Sequence, residues 1–215
     1  MQNPDAWDSY YELTSDIDAS ATSGWDGGKG FAPIGRETPA DDHFNGLFDG
    51  DNHTISNLYI NRPNTNDVSL FGYTDRNYSL PTSDVRNLGL VSVDFTGGYR
   101  TAGLIARSSS DVTECYVTGS VSGAASNSIA AGLIGQSHET VINCYSKASV
   151  SAEYQVAGFI SFNNGDTEKC YSTGLVFGDA SDQDGFSNDA YGHGSGTITD
   201  CFWAVSYTHL TLPTN

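Results

Sequence analysis

Ala102-Gly103-Leu104-Ile105, Ala131-Gly132-Leu133-Ile134, Ala157-Gly158-Phe159-Ile160 and Asp184-Gly185-Phe186-Ser187 are one element written four times. Each is followed by a polar link and a cysteine-aromatic pair: Cys115-Tyr116, Cys144-Tyr145, Cys170-Tyr171 and Cys201-Phe202. Upstream the register continues with leucine for cysteine, at Leu88 and Leu58, each preceded three residues earlier by an aliphatic, Val85 and Ile55. The markers 58, 88, 115, 144, 170 and 201 are 30, 27, 29, 26 and 31 residues apart. A second column agrees, extending back through Ser69-Leu70-Phe71-Gly72 and Gly46-Leu47-Phe48. A fixed period of this size signals one supersecondary unit stacked on copies of itself.

The unit is β. No window sustains apolar residues at helical spacing, and the short apolar or alternating runs are bounded by Gly, Ser, Thr and Asn, which is the pattern of strands and turns. Val112 to Val117 alternates and Ala102 to Ile105 is a short apolar run, so three short strands per repeat are predicted. The predicted fold is a right-handed parallel β-helix of six to seven coils, with equivalent residues laddered at the strand spacing of about 4.8 Å. Gly46, Gly103, Gly132, Gly158 and Gly185 read as coil corners, where a positive φ or close backbone approach excludes a side chain. A phosphate-binding loop is excluded, because none of these glycines lies between a strand and a helix bearing Lys-Ser/Thr.

Twenty-six acids against nine bases leave a net charge of −17, which argues against nucleic acid and anionic membrane surfaces as partners. No apolar run reaches the length of a membrane helix, so no direct membrane insertion is expected. Met1 to Asp18 is polar and acidic rather than a signal peptide. Residues 1–45 are expected to form an N-terminal cap and first coil, and 46–205 the repeats. Ser206 to Asn215 fits no register and reads as translated sequencing-adapter DNA, a non-native tail. The chain is expected to be a fragment of a longer protein.

With both columns laid out, the chain resembles the bacterial GLUG-repeat family. The residues that carry the likeness are Gly132-Leu-Ile-Gly135, Gly103-Leu-Ile-Ala106 and Ser69-Leu-Phe-Gly72. The preceding stretch contributes Tyr11 to Asp18, Gly30 to Gly35, Phe44 to Gly50 and His53 to Ile60. Gly158-Phe-Ile-Ser161 and Gly185-Phe-Ser-Asn188 depart from the pattern by losing the second glycine. The resemblance implies large secreted or cell-surface proteins, often adhesin-like, in which repeats form a stalk or display surface. Similar repeats accompany IgA-cleaving metallopeptidases outside the catalytic unit, and no catalytic motif belongs to the repeats. The expected role is therefore non-enzymatic, structural or adhesive and extracellular, with a glycan or a surface protein of a host or neighbouring cell as partner. The alternatives are a carbohydrate-active β-helix enzyme or a carbohydrate-binding module.

Candidate chemistry is sparse. Leu58, Leu88, Cys115, Cys144, Cys170 and Cys201 are expected to form one inward column of the core. Reduced buried thiols are the preferred state, with one or two disulfides or a metal as alternatives. Tyr116, Tyr145, Tyr171 and Phe202 follow that column directly, so strand alternation places them outside as an aromatic ladder. The ladder either binds sugar or protein or, as the favoured reading, stiffens the sheet by packing. Carboxylates concentrate in turn sequences, where Asp is common. Asp49 with Asp51, and Asp179, Asp182 and Asp184, supply oxygen ligands suited to weak calcium sites. No HExxH or Gly-x-Ser-x-Gly pattern occurs.

Overall fold

One turn of the chain is made of four strands: Asp111–Thr113, Tyr116–Gly123, Ile129–Ala131 and Ile134–Ser137. The next turn opens at Val141–Ile142, and Val112 pairs in parallel with Val141. Repetition of this step builds an all-β solenoid. It is seen in a computed structural model that describes residues 7–36, 42–75, 84–178, 183–188 and 194–204.

Four parallel sheets run along the solenoid, numbered here in the order the chain meets them. The first sheet contains seven strands, from Tyr10–Glu12 to Ile198–Thr199, and the second extends from Ile17–Asp18 to Phe202–Trp203. The third and fourth sheets contain four strands each, so the fully built part of the solenoid is about four turns. Ser20–Gly28, a 3-10 segment, lies beside the first coil. The described residues stop at 204, so the tail expected to be non-native lies outside them, as do Met1 to Ala6.

The core is a set of stacked columns. Val85, Val112 and Val141 come from the first sheet, and Phe95, Val121, Val150 and Val176 from the second, all fully buried. At the corner between the third and fourth sheets, Leu104, Leu133, Phe159 and Phe186 stack, with Phe159 and Phe186 rings 4.8 Å apart. Thr167 replaces the valine of the first column near the C-terminal end, and its hydroxyl is accommodated by donating to Asn163 Oδ1 at 3.2 Å.

Three details differ from the sequence reading. Each fully built coil has strands in four sheets rather than three, because both apolar motifs are corners. Ala102 ends one strand and Ile105 begins the next, with Gly103-Leu104 between them. The Val112–Val117 run is broken in the same way at Glu114, whose φ is 56°.

The second difference concerns the glycines. Gly46-Leu47-Phe48 does not belong to their column: Leu47 pairs with Tyr10 and Phe48 with Val85 in the first sheet, while Phe71 and Ile34 continue the Ile105 column. Gly46, Gly103, Gly132, Gly158 and Gly185 are not among the positive-φ residues. The left-handed corner is occupied instead by Asn52, Asn87, Glu114, Asn143, Lys169 and Asp200, with φ between 53° and 64°. Asn and Asp tolerate this region through local hydrogen bonding, whereas Glu114 and Lys169 are held there by the stack. The Ala-Gly column needs glycine for space. A Cβ on Gly103 would stand 2.3 Å from the Gly132 carbonyl oxygen, and one on Gly132 would stand 2.1 Å from that of Gly158.

The third difference is Leu58. Thr54 pairs with Gly89 and Ile55 with Leu90, and the Gly89 amide donates to the His53 carbonyl as the Tyr116 amide does to Leu88. His53, not Leu58, therefore stands beside Leu88 in the corner column. Leu58 lies further along the second sheet, where its carbonyl accepts from Asp94, and it is buried there. The misplacement comes from equating Ile55 with Val85. Ile55 pairs with Leu90, and it is Phe48 that pairs with Val85, across a corner, Gly50-Asp51-Asn52-His53, two residues longer than in later coils.

Candidate functional site

The second sheet carries the aromatic row on its outer surface. Tyr116, Tyr145 and Tyr171 begin successive strands in register, and Phe202 follows. Their rings stack face to face, at 4.8 Å for each tyrosine pair and 5.2 Å for Tyr171 and Phe202, all within 6° of parallel. The N-terminal end of the row rests on Gly89: a Cβ there would be 2.4 Å from Tyr116 Cζ. The tyrosines are half-buried, while Phe202 is 60% exposed. Lys147 Nζ lies 5.2 Å from the centroid of Tyr145. Burial, and then the neighbouring phenols, push the Tyr145 hydroxyl above its ordinary range, so it stays neutral.

This stacking decides what the row can do. Sugar binding on aromatics uses the ring face, and both faces of Tyr145 are already covered by the rings beside it. Tyr171 is sandwiched by Tyr145 and Phe202 in the same way. What the tyrosines present to solvent is their edges. The geometry suits a stiffening column, with each stacked pair contributing about 0.5–1.5 kcal/mol beyond area burial.

Immediately inside this row, the four cysteines occupy the left-handed corner. All are free thiols; Cys115, Cys144 and Cys170 are buried and Cys201 is half-buried. They do more than fill an apolar slot. The Cys115 amide donates to Cys144 Sγ at 3.3 Å, Cys144 to Cys170 Sγ at 3.4 Å, and Cys170 to Cys201 Sγ at 3.3 Å. The sulfurs of Cys144, Cys170 and Cys201 thus each accept from the amide one coil below. Each thiol in turn lies within reach of backbone carbonyls, as Cys144 Sγ does of Ile142 O at 3.2 Å. This is the feature that composition cannot reveal: a corner amide that would lack a backbone partner finds sulfur. Burial, then the hydrogen bond with Cys115, raises the Cys144 thiol well above its usual range. Cys170 is raised by its hydrogen bond to Cys144 and then by burial, and Cys201 chiefly by burial.

Buried thiols are shielded from reagents and so poor nucleophiles. In native protein at mildly alkaline pH, iodoacetamide is therefore expected to leave Cys115, Cys144 and Cys170 unmodified, with Cys201 reacting first. After unfolding without reductant, four thiols per chain should react. Mass spectrometry that finds only two would mean a bridge has formed.

The acidic candidates are separated by the fold. Asp49 is buried and already engaged: it accepts from Arg86 Nε at 2.8 Å, Asn87 Nδ2 at 2.9 Å and the Asp51 amide at 2.9 Å. Burial alone would raise its pKa, but these donors outweigh it and hold the carboxyl below the ordinary range. Asp51 is exposed on the adjoining turn. Asp184 accepts from the amides of Phe186 and Ser187 at 2.7 and 3.1 Å, serving as a local turn cap. Asp179 and Asp182 lie outside the described residues. Among the described residues, no three His, Cys, Asp or Glu side chains gather as a metal site.

A buried ion pair went unnoticed in the sequence. Arg100 Nε lies 3.3 Å from Asp67 Oδ1, with side chains only 9% and 5% exposed. Arg100 Nη1 also donates to Gln136 Oε1 at 3.2 Å. Arg100 shares a column with Ile129 and Gln155, on the side of the third sheet away from Ala130 and Val156, and lies across Gly135 of the fourth sheet. No periodic signal marks it, because Arg, Ile and Gln share no residue type.

Comparison with known proteins places this geometry. No family model matches the chain. Over 116 residues, 53% of its length, the chain is 43% identical to Halomucin from Haloquadratum walsbyi (strain DSM 16790 / HBSQ001). The match spans 1% of that protein, whose source is an archaeon rather than a bacterium. The crystal structure of a candidate immunoglobulin A1 protease from Bacteroides ovatus, at 1.30 Å, superposes with a TM-score of 0.53. It covers 96% of this chain and 73% of the other at 15% identity, a likeness of fold alone. No helix among the described residues is long and apolar enough to cross a membrane.

Proposed function

We propose that this chain is a structural repeat segment of a larger extracellular surface protein, belonging with GLUG-type repeats and acting as a stiff spacer rather than as an enzyme. The observation that carries the reading is the continuous stack of Tyr116, Tyr145, Tyr171 and Phe202, in which both ring faces of Tyr145 and of Tyr171 are spent on their neighbours. The Halomucin match supports it, since a stretch of this kind there forms a very small part of a long chain. The acidic surface supports it too, keeping such a segment soluble and self-repelling.

Adhesion through the aromatic face and carbohydrate binding are the readings to set against it, and one variant separates them. Tyr145→Ala removes two stacked pairs, so a spacer should lose about 1–3 kcal/mol of stability. Native chain and variant should both pass a glycan array and a panel of cell surfaces without specific retention. An unchanged melting temperature, or native retention abolished in a stably folded variant, would reject the spacer reading in favour of a binding module.

A further inference from the structure

The longer corner of the second coil carries Asn52-His53-Thr54, the Asn-X-Thr pattern of acceptors for N-linked glycans. We propose that Asn52 is a glycosylation site, modified by an oligosaccharide delivered from a lipid-linked phosphate or diphosphate donor. The inference rests on the extracellular placement proposed above. In the transfer, Asn52 Nδ2 forms a bond to the anomeric carbon as the bond from that carbon to the donor phosphate oxygen breaks. The lipid phosphate leaves with the electron pair, and one amide proton passes to a base of the transferase.

The local geometry presents this side chain. Gly50 to His53 form a tight turn closed by the His53 amide donating to Gly50 O at 2.8 Å. Asp51 and Asn52 have φ of 46° and 64°, as both central residues of a type I′ turn require, and Asn is favoured there. The Asn52 backbone is tied down, its amide donating to Asn87 O at 2.9 Å, while the residue is exposed. Asn52 is the second-coil member of the left-handed edge column that continues through Asn87, Glu114, Asn143, Lys169 and Asp200. A glycan there projects from an outer edge, clear of the core. The other asparagines of that column cannot substitute, because Gly89 and Tyr145 stand where Thr54 stands in the acceptor pattern.

Timing also follows. Asp16 of the first coil accepts from the Thr54 amide at 2.8 Å and faces His53 Nδ1 at 3.2 Å. Once the first coil docks, two of the three acceptor residues are held against it. Transfer therefore occurs on the chain before that docking. Asn77-Tyr78-Ser79 repeats the pattern but lies outside the described residues.

The test secretes the full chain through a yeast pathway that performs N-glycosylation, then maps glycopeptides after enzymatic deglycosylation in heavy-oxygen water. The expected result is label incorporation at residue 52, lost in both Asn52→Gln and Thr54→Ala and retained in Thr54→Ser. Folded chain made in a bacterial cytosol should resist the purified transferase, whereas a peptide spanning residues 50–56 should accept glycan; modification of the folded chain would overturn the timing. Secreted, folded protein unmodified at residue 52 overturns the site. Because secretion is imposed, that result leaves the spacer reading intact, and the Tyr145→Ala melt tests the latter separately.

Discussion

Gly132→Ala should cost about 3 kcal/mol, at the upper end of what overpacking costs a core, and lower the melting temperature clearly. The added methyl would meet the Gly158 carbonyl oxygen at 2.1 Å and Ser146 Oγ at 2.2 Å. The serine can rotate away, but the carbonyl belongs to the next coil. That coil is fixed by the Gly132 amide donating to Ala157 O at 3.1 Å and the Leu133 amide to Phe159 O at 2.9 Å. Relief therefore requires separating two coils and straining ladder hydrogen bonds on both sides of the corner. Gly24→Ala is the control: nothing lies within 4 Å of its new methyl, so its effect should stay within about 0.5 kcal/mol. Chemical denaturation of both variants measures the contrast. Equal midpoints would mean that coils slide past one another more readily than close stacking permits.

Arg100→Met is expected to destabilise by about 3–5 kcal/mol, because it leaves the Asp67 carboxylate buried without its cation. The loss should far exceed that of any exposed pair, such as Lys29 with Asp26, whose side chains are 63% and 51% exposed. Adding Asp67→Asn to Arg100→Met should restore most of the stability, since no uncompensated charge then remains. Asparagine also suits the backbone at this position, where φ is 54°. A double-mutant cycle by denaturant titration separates the terms. If Arg100→Met alone came within about 1 kcal/mol of native, water would have to reach Asp67, and the pair would not be tying neighbouring coils together beside the Val68–Thr101 bridge.

How much of this could be read from residues alone varied with whether a feature repeats. The cysteine corner, the tyrosine row and the Ala-Gly corner recur at nearly constant spacing, because each coil must present the same shape to the coil above it. Spacing failed at Leu58, where Ile55 of the second sheet stands an ordinary-looking interval from Val85 although Phe48 is that residue's partner. Residue type failed at the left-handed corner, since Asn, Glu, Lys and Asp share no composition signal although all adopt one backbone conformation. The outward position of the tyrosines followed from alternation, but whether their faces are free did not, because ring stacking depends on the distance between coils.

Local chemistry and periodicity thus determined by themselves that this chain is a parallel β-solenoid, since only stacking gives such a repeat a shared core and paired strand edges. The tertiary structure alone decided which carboxylates are already consumed, which glycines are needed for space, and which arginine is buried opposite Asp67. Those outcomes depend on groups 26 to 39 residues apart along the chain meeting across a strand spacing or a corner, a proximity that sequence separation does not encode.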